Sequence, residues 1–139
     1  MRVKFIVLVI ASALVALASP LFAHHSFAAQ YDANKPITLK GVVTRFEWTN
    51  PHARFFIDVI DDRGSLTNWN LELGSPNILA RAGWTRKALS VGDQVTVEGA
   101  LAKDGSRMAN ARTVTLASGK TVFAGSSGGD TAATPSPAK

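Results

Sequence analysis

The sequence predicts an all-β domain with one short helix, and three observations carry that reading. Between Ile37 and Phe123 the apolar residues recur mostly with period two, the spacing of a strand with one buried face. Turn residues punctuate that stretch at regular intervals, as in small β domains. A single segment with helix-capping residues interrupts it after the third strand.

The first strand runs from Ile37 to Trp48, with Ile37 and Leu39 on odd positions and Val42, Phe46 and Trp48 on even ones. That slip of phase predicts a β-bulge around Gly41. Phe55, Ile57 and Val59 alternate in a second strand, and "DDRGS" (61–65) turns the chain into a third. In the third strand Trp69, Leu71 and Leu73 alternate with Asn68, Asn70 and Glu72, which places the polar trio on the wet face. In "GSPNILARAGW", Ser75 is a good N-cap, Pro76 suits the first helical position, and Gly83 suits the residue past the end. Ile78, Leu79 and Ala82 would form the apolar side of this helix of about two turns. Thr85 to Leu89 can add a further turn. The fourth strand then carries Val95, Val97 and Leu101 on one face. A fifth runs from Met108 to Leu116, and "ASGK" leads to a short last strand at Thr121 to Phe123.

Three strands, a helix and two more strands is the order of an OB-fold, a small, partly open five-stranded barrel. The expectation is therefore an OB-fold-like barrel of five to six strands, with a β-sandwich as the alternative. The barrel occupies residues 37–124.

The flanks read differently. Arg2 and Lys4 precede a run from Phe5 to Ala18 that is almost wholly apolar, and Ser19-Pro20 ends it before Ala23. This is the layout of a secretory signal peptide over residues 1–23. The run is about 14 residues, short of the roughly 20 that cross a bilayer, so no stable membrane anchor is expected. Cleavage after Ala23 exposes His24; cleavage after Ala28 also fits and discards both His24 and His25. Residues 24–36 form an amino-terminal segment, and the Gly-, Ser- and Ala-rich residues 125–139 read as a disordered tail. A periplasmic or secreted location follows.

Without Arg2 and Lys4 the 15 basic residues fall to 13, against 10 acidic ones, a net charge of +3. The charges are scattered, which argues against nucleic acid as a partner. With no cysteine, thiol chemistry and disulfides are excluded, and no motif of nucleophilic, phosphate-binding or zinc-protease chemistry is present. Nothing in the sequence demands an enzyme.

Two constellations remain. The α-amine and imidazole of a mature His24 can close a chelate on one metal ion, with His25 beside it and His52, in "WTNPHARF", as a third imidazole. Such nitrogen ligands favour copper(II). The plain alternative is a soluble amino terminus and a turn-capping His52. The second set, Trp48, Arg54, Trp84 and Arg86, offers rings and guanidinium groups for a small anionic ligand or an exported protein partner. Trp84 is expected to be partly exposed there, while Phe46, Phe55 and Trp69 belong to the core.

The segments "HHSF", "GVVTRFEWTNPHARF", "NWNLELGSPNILARAGWTR", "VGDQVTVEGALAKDGS" and "ARTVTLASGKTVFAG" resemble a family of small exported bacterial proteins of unknown function. The resemblance implies an exported β-barrel-like domain in which HHSF and NPH are hallmark segments. It adds weight to His24, His25, Pro51, His52, Trp84 and Arg86.

Overall fold

The first strand, β1 (Tyr31–Glu47), organises the whole domain because it pairs on two sides. Its earlier part runs antiparallel to β4 (Gln94–Ala102) and its later part antiparallel to β2 (Arg54–Ile60), with Val42 in both ladders. β2 continues to β3 (Leu66–Glu72), and β4 to β5 (Met108–Leu116). A parallel ladder between β3 and β5 closes the ring, Leu71 opposite Ala109 and Glu72 opposite Asn110. The closed order β1-β2-β3-β5-β4 is an OB-type barrel. The sixth strand, β6 (Thr121–Phe123), lies outside the ring, antiparallel to β5. These statements come from a computed structural model, which describes residues 29–125.

The bulge of β1 falls at Thr44, between Val43 and Arg45, and not at Gly41. Leu39 and Val43 are both buried, so the odd phase persists through Val43, and Val42, expected inward, is 39% exposed. The extra residue then shifts Phe46 and Trp48 to even positions. Gly41 serves another end: a Cβ there would lie 2.5 Å from the carbonyl oxygen of Asp58.

The start of β1 also differs from the expected Ile37. The ladder with β4 is continuous only from Pro36, opposite Ala100, but the chain pairs once more at Tyr31, opposite Ala102. Between them Asp32 to Lys35 form a detour, in which Asp32 accepts from the Asn34 amide at 3.0 Å and meets Lys35 at 3.9 Å. No period-two pattern crosses that detour, which is why the sequence conceals the outer pair.

The helix α1 (Pro76–Arg81) forms as expected, Ser75 Oγ accepting from Ile78 N at 3.4 Å and Gly83 following at φ 89°. It buries Pro76 and Leu79 alone, while Ile78 and Ala82, expected inward, are exposed. The Thr85–Leu89 stretch closes one turn through Ala88 N to Thr85 O.

The barrel interior is built from Phe55, Ile57, Leu71, Leu73, Leu79, Val97 and Val114 among others, each contributing roughly 1.5–3 kcal/mol by its burial. Phe55 is fully buried, and Phe46 and Trp69 pack half-buried against that core. Val95 and Val97 point inward, but Leu101 is only half-buried. A second bulge, at Arg112 of β5, resets the register here, Glu98 facing Thr113 and Gly99 facing Ala111. Beyond it Ala100 and Ala102 are buried outside the main core, as is Tyr31. This satellite patch positions the site described next. Among the described residues no helix is long and apolar enough to cross a membrane.

Candidate functional site

Strand β2 enters the sheet through "TNPHARF", in which the Asn50-Pro51 peptide is cis. Ala53, fully buried, fixes this entry: its amide donates to Gly74 O at 3.1 Å and its carbonyl accepts from Leu73 N at 2.9 Å. His52 is thereby set beside the end of β3. The next pair in the ladder, Arg54 opposite Glu72, puts both side chains on one face.

Glu72 is the centre of the resulting cluster. Its Oε2 accepts from Arg54 Nη2 at 2.7 Å, and its Oε1 lies 3.2 Å from His52 Nδ1. The Glu72 side chain is 4% exposed, against 31% for Arg54 and 23% for His52. The phenol of Tyr31 reaches the same carboxylate. Burial pushes the Tyr31 hydroxyl far above its ordinary 10.0, the negative charge of Glu72 adds to this, and Arg54 offsets part of it. A buried carboxylate is tolerated when its charge is paired and its lone pairs are filled, and these three neighbours supply that.

An ionised carboxylate offers only lone pairs. His52 thus meets the carboxylate through Nδ1, the nitrogen at which a ring proton would face an acceptor, and not through Nε2. The position of the cluster on the barrel is equally informative. It lies between the β1–β2 loop, which carries His52, and the β4–β5 loop, whose Arg107 carbonyl accepts from Asn70 N at 3.0 Å. OB-folds take their ligands at this pair of loops and on the adjoining face of β2 and β3. Asn110, opposite Glu72 and fully buried, adds a side-chain amide with no hydrogen-bond partner among the described residues.

The residues expected from the sequence divide. His52 and Arg54 come together, on Glu72. His24 and His25 lie outside the described residues. Trp48 is half-buried and meets Phe46 edge-on, ring centroids 5.9 Å apart. Trp84, expected to be partly exposed, is 3% exposed, and its Nε1 donates to Phe123 O at 2.8 Å. The indole is the anchor for β6 and for the turn after α1, so it is core and not a ligand surface. Arg86 is exposed on that turn. The four residues Trp48, Arg54, Trp84 and Arg86 thus form no open face. Among the described residues no group of three or more His, Cys, Asp or Glu is placed to hold a metal ion.

Glu72 itself corrects the wet face expected of β3. Asn68 is exposed there, its Nδ2 donating to Asp58 Oδ1 at 2.7 Å. Glu72, four residues further on, is covered by Tyr31, Arg54 and His52. Tyr31 and Glu72 are the site residues that sequence reasoning missed. The signal for Glu72 was its place directly before the buried Leu73-Gly74; Tyr31 gave none.

A comparison with curated proteins yields no match. Among solved structures, the chain is similar to the S. cerevisiae mitochondrial single-stranded DNA binding protein Rim1, with a TM-score of 0.47 and 13% identity over 60% of this chain and 93% of that one. It is also similar to the N-terminal domain of PriB from Thermoanaerobacter tencongensis, with a TM-score of 0.40 and 18% identity over 60% of this chain and 96% of that one. A family model matches residues 11–111, a span that holds Tyr31, His52, Arg54, Glu72 and Asn110 together. Since that match takes in well over half of the sequence, the chain belongs to the family of unknown function DUF6152.

Proposed function

We propose that the mature protein is an exported OB-type binding module that holds a divalent transition metal, copper(II) foremost, between His24 and His25 at its amino terminus and His52 on the barrel rim. The observation that supports this most is the shared carboxylate. Tyr31 and His52 both meet Glu72, so the chain sets out toward its amino terminus from a point one side chain away from His52. Six residues lie between Tyr31 and His24, and with Ala29 and Gln30 helical the path spans at most about 20 Å, enough reach for His24 to meet Nε2 of His52.

The donor set agrees with the metal. An α-amine and three imidazoles are nitrogen ligands of the borderline kind that copper(II) prefers over magnesium or calcium. Signal cleavage after Ala23 supplies the amine. A polyanion is the wrong partner for a modest +3 charge and a ligand face centred on a carboxylate, so nucleic acid is not part of this reading.

The test is a copper(II) titration of protein recovered from the periplasm of an expression host, its amino terminus fixed by mass. A chain that starts at His24 and binds one equivalent, with affinity reduced at least tenfold by His52→Ala, supports the proposal. A chain that starts at Ala29, or one that starts at His24 and takes up no copper, overturns it.

A further inference from the structure

We infer that Glu72 is the positioning residue of His52: it holds the imidazole with Nδ1–H turned inward, so that Nε2 is the single nitrogen presented to an ion. The use of that nitrogen rests on the metal reading above, whereas the orientation does not.

The geometry leaves Glu72 little freedom to do otherwise. Its side chain is nearly fully buried, one oxygen is taken by Arg54 at 2.7 Å, and the other faces His52 Nδ1 at 3.2 Å. Arg54 is always charged and, through this contact, holds the carboxylate turned. Tyr31 closes the remaining side with its hydroxyl on the same group. The ring of His52 is accessible only in part, so the carboxylate and the entry of β2, locked by the two backbone bonds of Ala53, determine which edge of the ring faces out. A carboxylate behind an imidazole is the arrangement that fixes the tautomer of a metal-ligating histidine and raises its basicity. The ligand class it selects is a borderline divalent cation, since an imidazole lone pair suits copper, zinc or nickel and neither calcium nor an anion.

Glu72→Gln isolates this role. The amide keeps the shape of the side chain, but it has one oxygen, which the Arg54 guanidinium claims. Its NH2 then faces His52 and requires Nδ1 to accept, so the ring proton moves to Nε2 and the outward lone pair is lost. The experiment is nitrogen-15 NMR of histidine-labelled, metal-free protein at a pH where the ring is neutral, followed by copper(II) titration of the same samples. The expected result is the Nδ1–H tautomer at His52 in the wild type, the Nε2–H tautomer in Glu72→Gln, and a copper affinity about 10–100-fold lower in the variant. If Glu72→Gln does not fold, Arg54→Gln serves in its place: the carboxylate remains, and Nδ1–H at His52 is expected to persist. An Nε2–H or freely exchanging His52 in the wild type overturns the inference whatever the metal does. The expected tautomers in both proteins, with copper binding indifferent to His52→Ala, uphold the orientation and overturn the metal reading.

Discussion

Tyr31 and Glu72 meet on the outside of the barrel although their strands, β1 and β3, share no ladder. The contact exists because β1 makes a detour at Asp32–Lys35 and returns to pair Tyr31 with Ala102, beside the point where β5 closes onto β3. An elementary piece of chain geometry thus shields a carboxylate that would otherwise be wet, and links the amino-terminal approach to the histidine at the start of β2.

That contact has a spectroscopic consequence, since Tyr31 is the only tyrosine of the chain. Its hydroxyl is held above the ordinary 10.0 in the fold, by burial first and by Glu72 second. A raised folded value means that the stabilising contribution is fully present below pH 10.0 and is lost as the pH climbs above it, where the unfolded phenol ionises and the folded one does not. An alkaline titration should show no phenolate absorbance while the far-ultraviolet circular dichroism remains native, and both signals should change together. Tyr31→Phe should remove the phenolate signal and cost about 1 kcal/mol near neutrality. Ionisation at the ordinary value with the fold intact refutes the contact.

Trp84 ties the helix turn to β6 through its indole N–H on Phe123 O. Trp84→Phe removes the indole donor to that carbonyl and part of a packed ring, so urea unfolding should report a loss of about 1–3 kcal/mol. Trp48→Phe, at a half-buried ring against Phe46, should cost less than about 1.5 kcal/mol. Equal costs would mean that Trp84 is not the anchor.

What was legible in the sequence follows from the range of each signal. Phe55, Ile57, Leu71, Val95, Val97 and Val114 alternate along their own strands, and a pattern of that kind survives in any sheet with one buried face. Ser75, Pro76 and Gly83 mark the helix by local backbone chemistry. The β1 bulge was misplaced by three residues because a glycine is the louder local cue, while Thr44 bulges for a reason of pairing that only β2 supplies. Trp84 was misjudged because its partner is a carbonyl of β6, far along the chain. His52 and Arg54 were visible as residue types, but Glu72 looked solvated, since alternation says which face a side chain takes and not what covers that face.

Gly99 tests the second register shift. A Cβ at this position would stand 2.2 Å from the backbone oxygen of Asn110, where β4 and β5 close up around the bulge at Arg112. Backbone cannot yield as a side-chain end does, so Gly99→Ala should cost about 3 kcal/mol or leave the protein unfolded. Gly64→Ala is the fitting control: its φ is 78° with open space around it, and strain alone should cost about 1 kcal/mol. Measured by urea unfolding, a Gly99 variant no worse than the Gly64 variant would show that the strands do not approach so closely.

The copper reading makes a prediction at the amino group itself. If the α-amine of His24 is a ligand, acetylating it or preceding it with Gly-Ser removes a nitrogen while leaving every imidazole in place, and copper(II) affinity should fall by at least tenfold. Acidification should act in the same direction. The amine, which titrates near pH 8 when free, must lose its proton to bind, so binding releases protons and weakens steadily as the pH falls below about 8. Electron paramagnetic resonance of the loaded protein should show one fewer nitrogen in the blocked form. An affinity and a nitrogen count indifferent to the block would place the ion on imidazoles alone, and a chelate at the terminus would no longer be tenable.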